Sequence, residues 1–174
     1  RKESSAASDV YKRQVININK NISISQKIKI TILNLLAYRA RSKAELFFKL
    51  RKKFRLDDIK NVINDLELKG YINDEEFTKM YASSLIKNKL LSRNAVKHKL
   101  LKHNISNEIL CPILDNLYFQ TDEKELIKKI TIKRLRLKTK INENEIVKQV
   151  NYLKGKGFHW NDIKIVLGEL NLNF

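Results

Sequence analysis

Apolar residues recur along this chain at helical spacing, in short runs separated by polar caps, and the runs come in threes. Over residues 28–40, Ile28, Ile32, Leu35 and Leu36 share one face of an amphipathic helix. Ser42 then offers an N-cap hydroxyl, with Glu45 three residues on to complete a capping box. Leu46, Leu50 and Phe54 follow at fourfold spacing. A third helix starting near Asp57 carries Ile59, Val62, Ile63 and Leu66 on its inner face, and Gly70 stands where a left-handed residue ends a helix.

The same grammar returns twice. Asn73 caps a helix with an acidic first turn (Asp74, Glu75, Glu76) and an apolar face of Phe77, Tyr81 and Leu85. Ser92 caps the next, with Val96 and Leu100 at the offsets that Leu46 and Leu50 have from Ser42. Ser106 precedes Ile109, Ile113 and Leu117, where Pro112 implies a late start or a kink. In the third triplet one helix runs from Asp122 to about Lys138, a second covers roughly 143–155, and Asn161 caps the last. Asp58-Ile59-Lys60, Val62-Ile63 and Leu66 match Asp162-Ile163-Lys164, Val166-Leu167 and Leu170 position for position. A period of roughly 50 residues with three helices each predicts an all-α array of helix-turn-helix-like modules. Modules of that size bury too little apolar surface alone, so they should share surface in an elongated, curved body. The expected boundaries are 28–72, 73–118 and 119–174. Ahead of them, residues 1–14 read as a non-native leader and 15–27, with Ile alternating with Asn and Ser, as a short extended and flexible segment.

Composition narrows the function. One cysteine, Cys111, rules out a disulfide framework or a Cys-rich zinc site and is most simply a buried apolar residue. Four glycines and one proline leave no Gly-rich phosphate loop, and no apolar run approaches the roughly 18 residues of a membrane span. His98, His103 and His159 lack metal-ligand spacing, and no catalytic motif is present. The aromatic residues sit at core-like positions, with Trp160 expected to staple the last helix. The expectation is a soluble protein that is not an enzyme and takes no metal or cofactor.

Charge is the positive signal. There are 36 Lys and Arg against 19 Asp and Glu, a net charge of +17. A chain also rich in Ile and Asn suits a low-GC coding sequence, so part of the excess reads as solvated lysine. The basic residues nevertheless cluster on successive modules. Arg51, Lys52 and Lys53 crowd the first, Arg93, Lys97 and Lys99 the second, and Lys133, Arg134 and Lys138 the third. Recurrence on successive modules favours a binding track for a polyanion over a merely solvated face.

Gly70-Tyr71-Ile72-Asn73-Asp74-Glu75-Glu76-Phe77, with Tyr81 four residues on, resembles the central signature of the bacterial RecX regulatory family. Ser42-Lys43-Ala44-Glu45-Leu46 with Lys49-Leu50, and Leu153 through Gly157-Phe158 to Ile163, resemble the segments that flank it in that family. Asn73 stands for the first Asp, Thr78 for an Ala, and module one lacks the Gly before Phe54. The resemblance, over about residues 28–170, implies three tandem three-helix modules. It also implies a cytoplasmic, monomeric regulator that binds the RecA filament on single-stranded DNA, touches DNA phosphates through it, and inhibits RecA in repair and recombination. Gly70, Tyr71, Asp74, Phe77, Tyr81, Gly157 and Phe158 become structural signature residues. A rival expectation is a stand-alone helix-turn-helix transcriptional regulator, but Asp57, Asp58, Glu108 and Asp162 would repel phosphates at the starts of its recognition helices.

Overall fold

The computed structural model describes residues 22–136 and 141–172. Among the described residues all regular structure is helical: α1 (Ile24–Tyr38), α2 (Lys43–Leu50), α3 (Leu56–Leu68), α4 (Asp74–Lys89), α5 (Arg93–Leu101), α6 (Asn107–Phe119), α7 (Glu123–Leu135), α8 (Glu143–Gly155) and α9 (Trp160–Glu169). The chain divides after Ile72 into two compact units.

In the first unit α3 packs on both α1 and α2. Its core is Ile28, Ile32, Leu46, Leu50, Ile59, Val62, Ile63, Leu66 and Ile72, with Phe54 packed at its edge. Apart from Ile72, these are positions that helical periodicity placed inward; Leu35 and Leu36, expected on the same face, are only half-buried. The extended segment expected through residue 27 is corrected: α1 already begins at Ile24. Ser23 Oγ accepts the Gln26 N–H at 3.2 Å, and Gln26 Oε1 accepts the Ser23 N–H at 3.1 Å. That reciprocal box satisfies two otherwise orphaned amides and outweighs the alternation of Ile with polar residues. The proposed leader and residues 15–21 lie outside the described residues.

Ser42 caps α2 as its spacing implied, accepting the Glu45 N–H at 3.2 Å. The Glu45 carboxylate is held by Arg39, at 2.6 Å, and by the buried Arg41. Burial alone would raise the Glu45 pKa, but hydrogen bonds and charge from Arg39 and then Arg41 outweigh it and hold the carboxyl below its ordinary value.

Four helices end on one device. After α3, the N–H of Gly70 reaches Glu67 O and that of Tyr71 reaches Leu66 O, both at 2.9 Å. This is a Schellman motif with Gly70 at φ 76°. The pattern recurs at Asn104 after α5, Gly157 after α8 and Asn171 after α9. Module one departs at the corresponding Lys53, which has no positive φ; there Phe54 N–H returns to Leu50 O at 3.1 Å. The missing glycine is thus absorbed by a different turn.

In the second unit α4, α5 and α6 pack on one another, and α9 packs on α7 and α8. Several expectations need correction. α6 starts at Asn107 and runs through Pro112, so it does not start late; the exposed ring replaces an N–H that would have bonded Glu108 O. The N-cap of α9 is His159, not Asn161, which lies inside the helix. α7 stops at Leu135 rather than near Lys138. Cys111 is only half-buried. Trp160 is partly exposed, while Phe158 at N′ and Ile163 at N4, the two staple positions, are buried.

The second and third triplets meet along residues 89–93. The N–H of Ser92, N-cap of α5, donates to Lys156 O at 3.2 Å. Arg93 N–H donates to Glu123 Oε1 at 2.9 Å. Lys156 Nζ donates to Lys89 O. Beneath this seam Tyr118 donates its hydroxyl to Leu91 O at 2.8 Å. Burial, then the Glu123 charge, raises the Tyr118 pKa and keeps the phenol protonated. A Cβ on Gly157 would lie 2.5 Å from Ser92 Oγ, 2.8 Å from Ala95 Cβ and 3.1 Å from Ala95 N. Around Gly70 a Cβ would meet nothing within 4 Å.

Two predictions follow from these contacts. Gly70→Ala pays only for its left-handed backbone, roughly 1–2 kcal/mol, whereas Gly157→Ala adds a steric clash of about 1–3 kcal/mol more. Urea unfolding monitored by circular dichroism should therefore show the larger midpoint loss for Gly157→Ala. Glu45→Gln should cost roughly 1–3 kcal/mol at neutral pH. Because the folded Glu45 pKa is lowered, its contribution is complete above the ordinary value of 4.5 and fades as pH falls through the folded value. The stability gap between native protein and Glu45→Gln should narrow below pH 4.5 in denaturant titrations run at several pH values.

Candidate functional site

Basic side chains gather at helix C-termini, where the helix dipole favours them, and acids at N-termini. α7 shows both: Asp122 caps it, Glu123 and Glu125 fill its first turn, and Lys133 and Arg134 its last. Lys89 closes α4, Lys99 lies in the last turn of α5, and Lys156 is the C-cap of α8. Folding of the second unit brings these four helix ends to one cleft of about 850 Å³. Lys89, Lys99, Lys133, Arg134, Lys156 and Tyr152 all line it, and among the described residues its lining contains no carboxylate.

Arg134 is fixed in the cleft wall by neutral partners. Its Nε donates to Gln149 Oε1 at 2.9 Å, and Gln149 Nε2 donates to Thr131 Oγ1 at 3.1 Å. Gln149 and Thr131 are both buried. The guanidinium carbon lies 3.8 Å from the centroid of the Tyr152 ring, and Lys156 Nζ lies 5.2 Å from it. These interactions orient charge without cancelling it.

The remaining sequence candidates fall elsewhere. Arg93 and Lys97 line a smaller cleft of about 370 Å³ together with Glu123 and His159. Arg93 there is ion-paired with Asp115, so that site is closer to charge balance. Arg51, Lys52 and Lys53 are exposed in the turn after α2, with Arg51 4.7 Å above the Phe48 ring. Lys138 lies outside the described residues.

The signature residues have structural surroundings. Phe77 is buried and stacks on Tyr81 with centroids 5.5 Å apart, and His103 meets both edge-on at 5.3 and 4.9 Å. Asp74 is buried at the start of α4, while Tyr71 is exposed. No group of three or more metal-ligating side chains occurs among the described residues. No described helix is long and apolar enough to cross a membrane.

Comparison with known proteins fits this architecture. The family model for the first three-helix domain of RecX matches residues 31–66. The regulatory protein RecX of Chlorobaculum tepidum is 30% identical over 142 residues, covering 79% of this chain and 86% of that protein. The chain belongs to the RecX family. It is a family of regulatory proteins. A second RecX, from Caldanaerobacter subterraneus subsp. tengcongensis, is 28% identical over 134 residues, covering 76% of this chain and 65% of that one. The crystal structure of RecX from Lactobacillus salivarius superposes with a TM-score of 0.71 at 26% identity, covering 86% of this chain and 97% of the other. A further RecX crystal structure, at 19% identity and a TM-score of 0.71, shares the fold.

Lys89, Lys156 and Tyr152 escaped the sequence reading, because each lines the cleft only through packing of the second triplet on the third; Gln149 escaped because its contact with Arg134 is made only by the packing of α8 on α7. The helix-end position of Lys89 was the available signal. Gln149→Leu in this RecX chain should cost about 1–3 kcal/mol, since it strips the buried Thr131 hydroxyl and Arg134 Nε of their shared partner. Thermal unfolding of the variant beside Thr131→Val/Gln149→Leu checks this, because removing both buried polar partners should recover part of the loss.

Proposed function

We propose that this RecX-family chain binds the RecA filament on single-stranded DNA and restrains its ATPase, strand exchange and growth. It acts by binding, as a cytoplasmic monomer, with no chemical step or cofactor of its own. The observation that carries this reading is its relationship to regulatory protein RecX over 86% of a relative's length. Exposed cations on both units, at Arg51, Lys52 and Lys53 and at Lys133 and Arg134, suit a partner coated in phosphate. The stand-alone duplex reader is disfavoured, since Asp57 and Asp58, Glu108 and Asp162 occupy the first turns of α3, α6 and α9.

The test is RecA's DNA-dependent ATPase titrated with the chain. The native protein should inhibit it. Combined reversal of Arg51, Lys52, Lys97, Lys133 and Arg134 to Glu should raise the half-inhibiting concentration roughly tenfold or more, with helicity retained by circular dichroism. Inhibition unchanged by the reversals would sink the role of these cations. Absence of inhibition by the native chain, together with tight sequence-selective duplex binding, would replace the reading with the transcriptional one.

A further inference from the structure

Among the described residues three take a positive φ without being glycine, and two of them, Asn104 and Asn171, are of a type that tolerates it. The third is Leu90, at φ 49° and ψ 52°, the C-cap of α4. A left-handed backbone brings the Cβ of a leucine too close to the following carbonyl oxygen. Against an ordinary turn, that conformation is disfavoured by a factor of about 5–30. It persists only where neighbouring contacts over-determine it.

Most of those contacts come from the third triplet. On one side of Leu90, the Lys89 carbonyl accepts from Lys156 Nζ. On the other, Ser92 N–H donates to Lys156 O at 3.2 Å and Arg93 N–H to Glu123 Oε1 at 2.9 Å. Leu91 O is held from within the second triplet, by the Tyr118 hydroxyl.

The first triplet makes the corresponding turn without strain. Aligned on the caps Ser42 and Ser92, Arg39 corresponds to Lys89 and Ala40 to Leu90. α1 ends at Tyr38, Arg39 is extended at φ −164° and ψ 157°, and neither Ala40 nor Arg41 has a positive φ. Glu45, in the same unit, holds Arg39 and Arg41 there. α4 runs one residue closer to its cap, and Lys156 Nζ grips the carbonyl of that extra residue. Ended at Asn88 instead, α4 would leave Leu90 unstrained, as α1 leaves Ala40.

We propose that residues 88–92 form a two-state joint with Lys156 as its latch. With the third triplet docked, Lys156 draws α4 out to Lys89 and forces Leu90 left-handed. With it undocked, α4 ends at Asn88 and the strain is released. The strain therefore exists only in the docked state and biases the second and third triplets toward separating. A partner that binds the triplets apart needs correspondingly less differential affinity to open them. This device lies in the chain itself and does not depend on the RecA reading.

The test is amide hydrogen exchange of the full chain, read residue by residue by NMR, on native protein, Leu90→Gly and Leu90→Ala. Both variants lose the leucine side chain, but only glycine takes φ 49° without strain. The Ser92 and Arg93 amides bond to the third triplet, so their exchange reports undocking. The amide of the buried Leu85, within α4, reports unfolding of the second triplet. In native protein Ser92 and Arg93 should exchange roughly tenfold or more faster than Leu85. Leu90→Gly should slow both about threefold or more relative to Leu90→Ala. In a Lys156→Met background, which removes the grip on Lys89 O, that difference should shrink below about twofold. If Leu90→Gly loses helicity, Leu90→Asn takes its place, since asparagine also tolerates this backbone.

Three results would each overturn the joint. One is Ser92 and Arg93 exchanging no faster than Leu85, which leaves no separate undocked state. Another is a glycine–alanine difference at Leu85 with none at Ser92, which makes the strain local to the second triplet. The last is an undiminished difference in the Lys156→Met background, which removes the latch.

Discussion

Within the second unit, a main-chain hydrogen bond from the N–H of Ser92 to Lys156 O fixes how the second and third triplets approach. It joins the cap of α5 to the turn between α8 and α9, residues distant in sequence. The bond needs the two backbones close together, and the space is available only because residue 157 lacks a Cβ. Glycine there meets two demands at once, a φ of 87° and a neighbour already in contact. Around this bond, Arg93 N–H takes Glu123 and Lys156 Nζ takes Lys89 O, so three main-chain groups of residues 89–93 are answered by the third triplet.

That seam also makes the cleft. Bringing the α8–α9 turn onto α5 sets the basic ends of α4, α5, α7 and α8 around one hollow. Each lysine is explicable locally, as a cation at the favourable end of a helix. Their convergence is not local, because no single helix gains from having another's cations nearby. Polar neighbours such as Gln149, Thr131 and the Lys89 carbonyl then hold the charges in place without neutralising them.

Much of the fold was legible along the chain because helical periodicity and capping are local. Ile59, Val62, Ile63 and Leu66, and their counterparts Ile163, Val166 and Leu167, are buried as the repeat required, while Leu170, the counterpart of Leu66, is only half-buried at the helix C-cap. Ser42, Asn73 and Ser92 all cap as their positions implied. Misreadings occurred where two local signals competed. The Ser23–Gln26 box overrode an alternating pattern, and the late start allowed for at Pro112 met a helix that begins at Asn107 and continues past the proline with one bond fewer. Asn161 looked like a cap, but Phe158 and Ile163 at the staple positions set the start of α9 two residues earlier, at His159.

By itself, the amino-acid sequence determined the helical class, the recurrence of capped triplets, the left-handed stop at Gly70, and the resemblance to RecX. These depend on spacings of a few residues, over which backbone geometry leaves little choice. Only the tertiary structure decided which cations act together. It set Lys133 and Arg134 beside Lys89, Lys99 and Lys156, and placed Arg93 against Asp115. The physical reason is that charge acts through space: whether a lysine is solvated, paired or part of a cleft depends on chain segments that packing alone brings near.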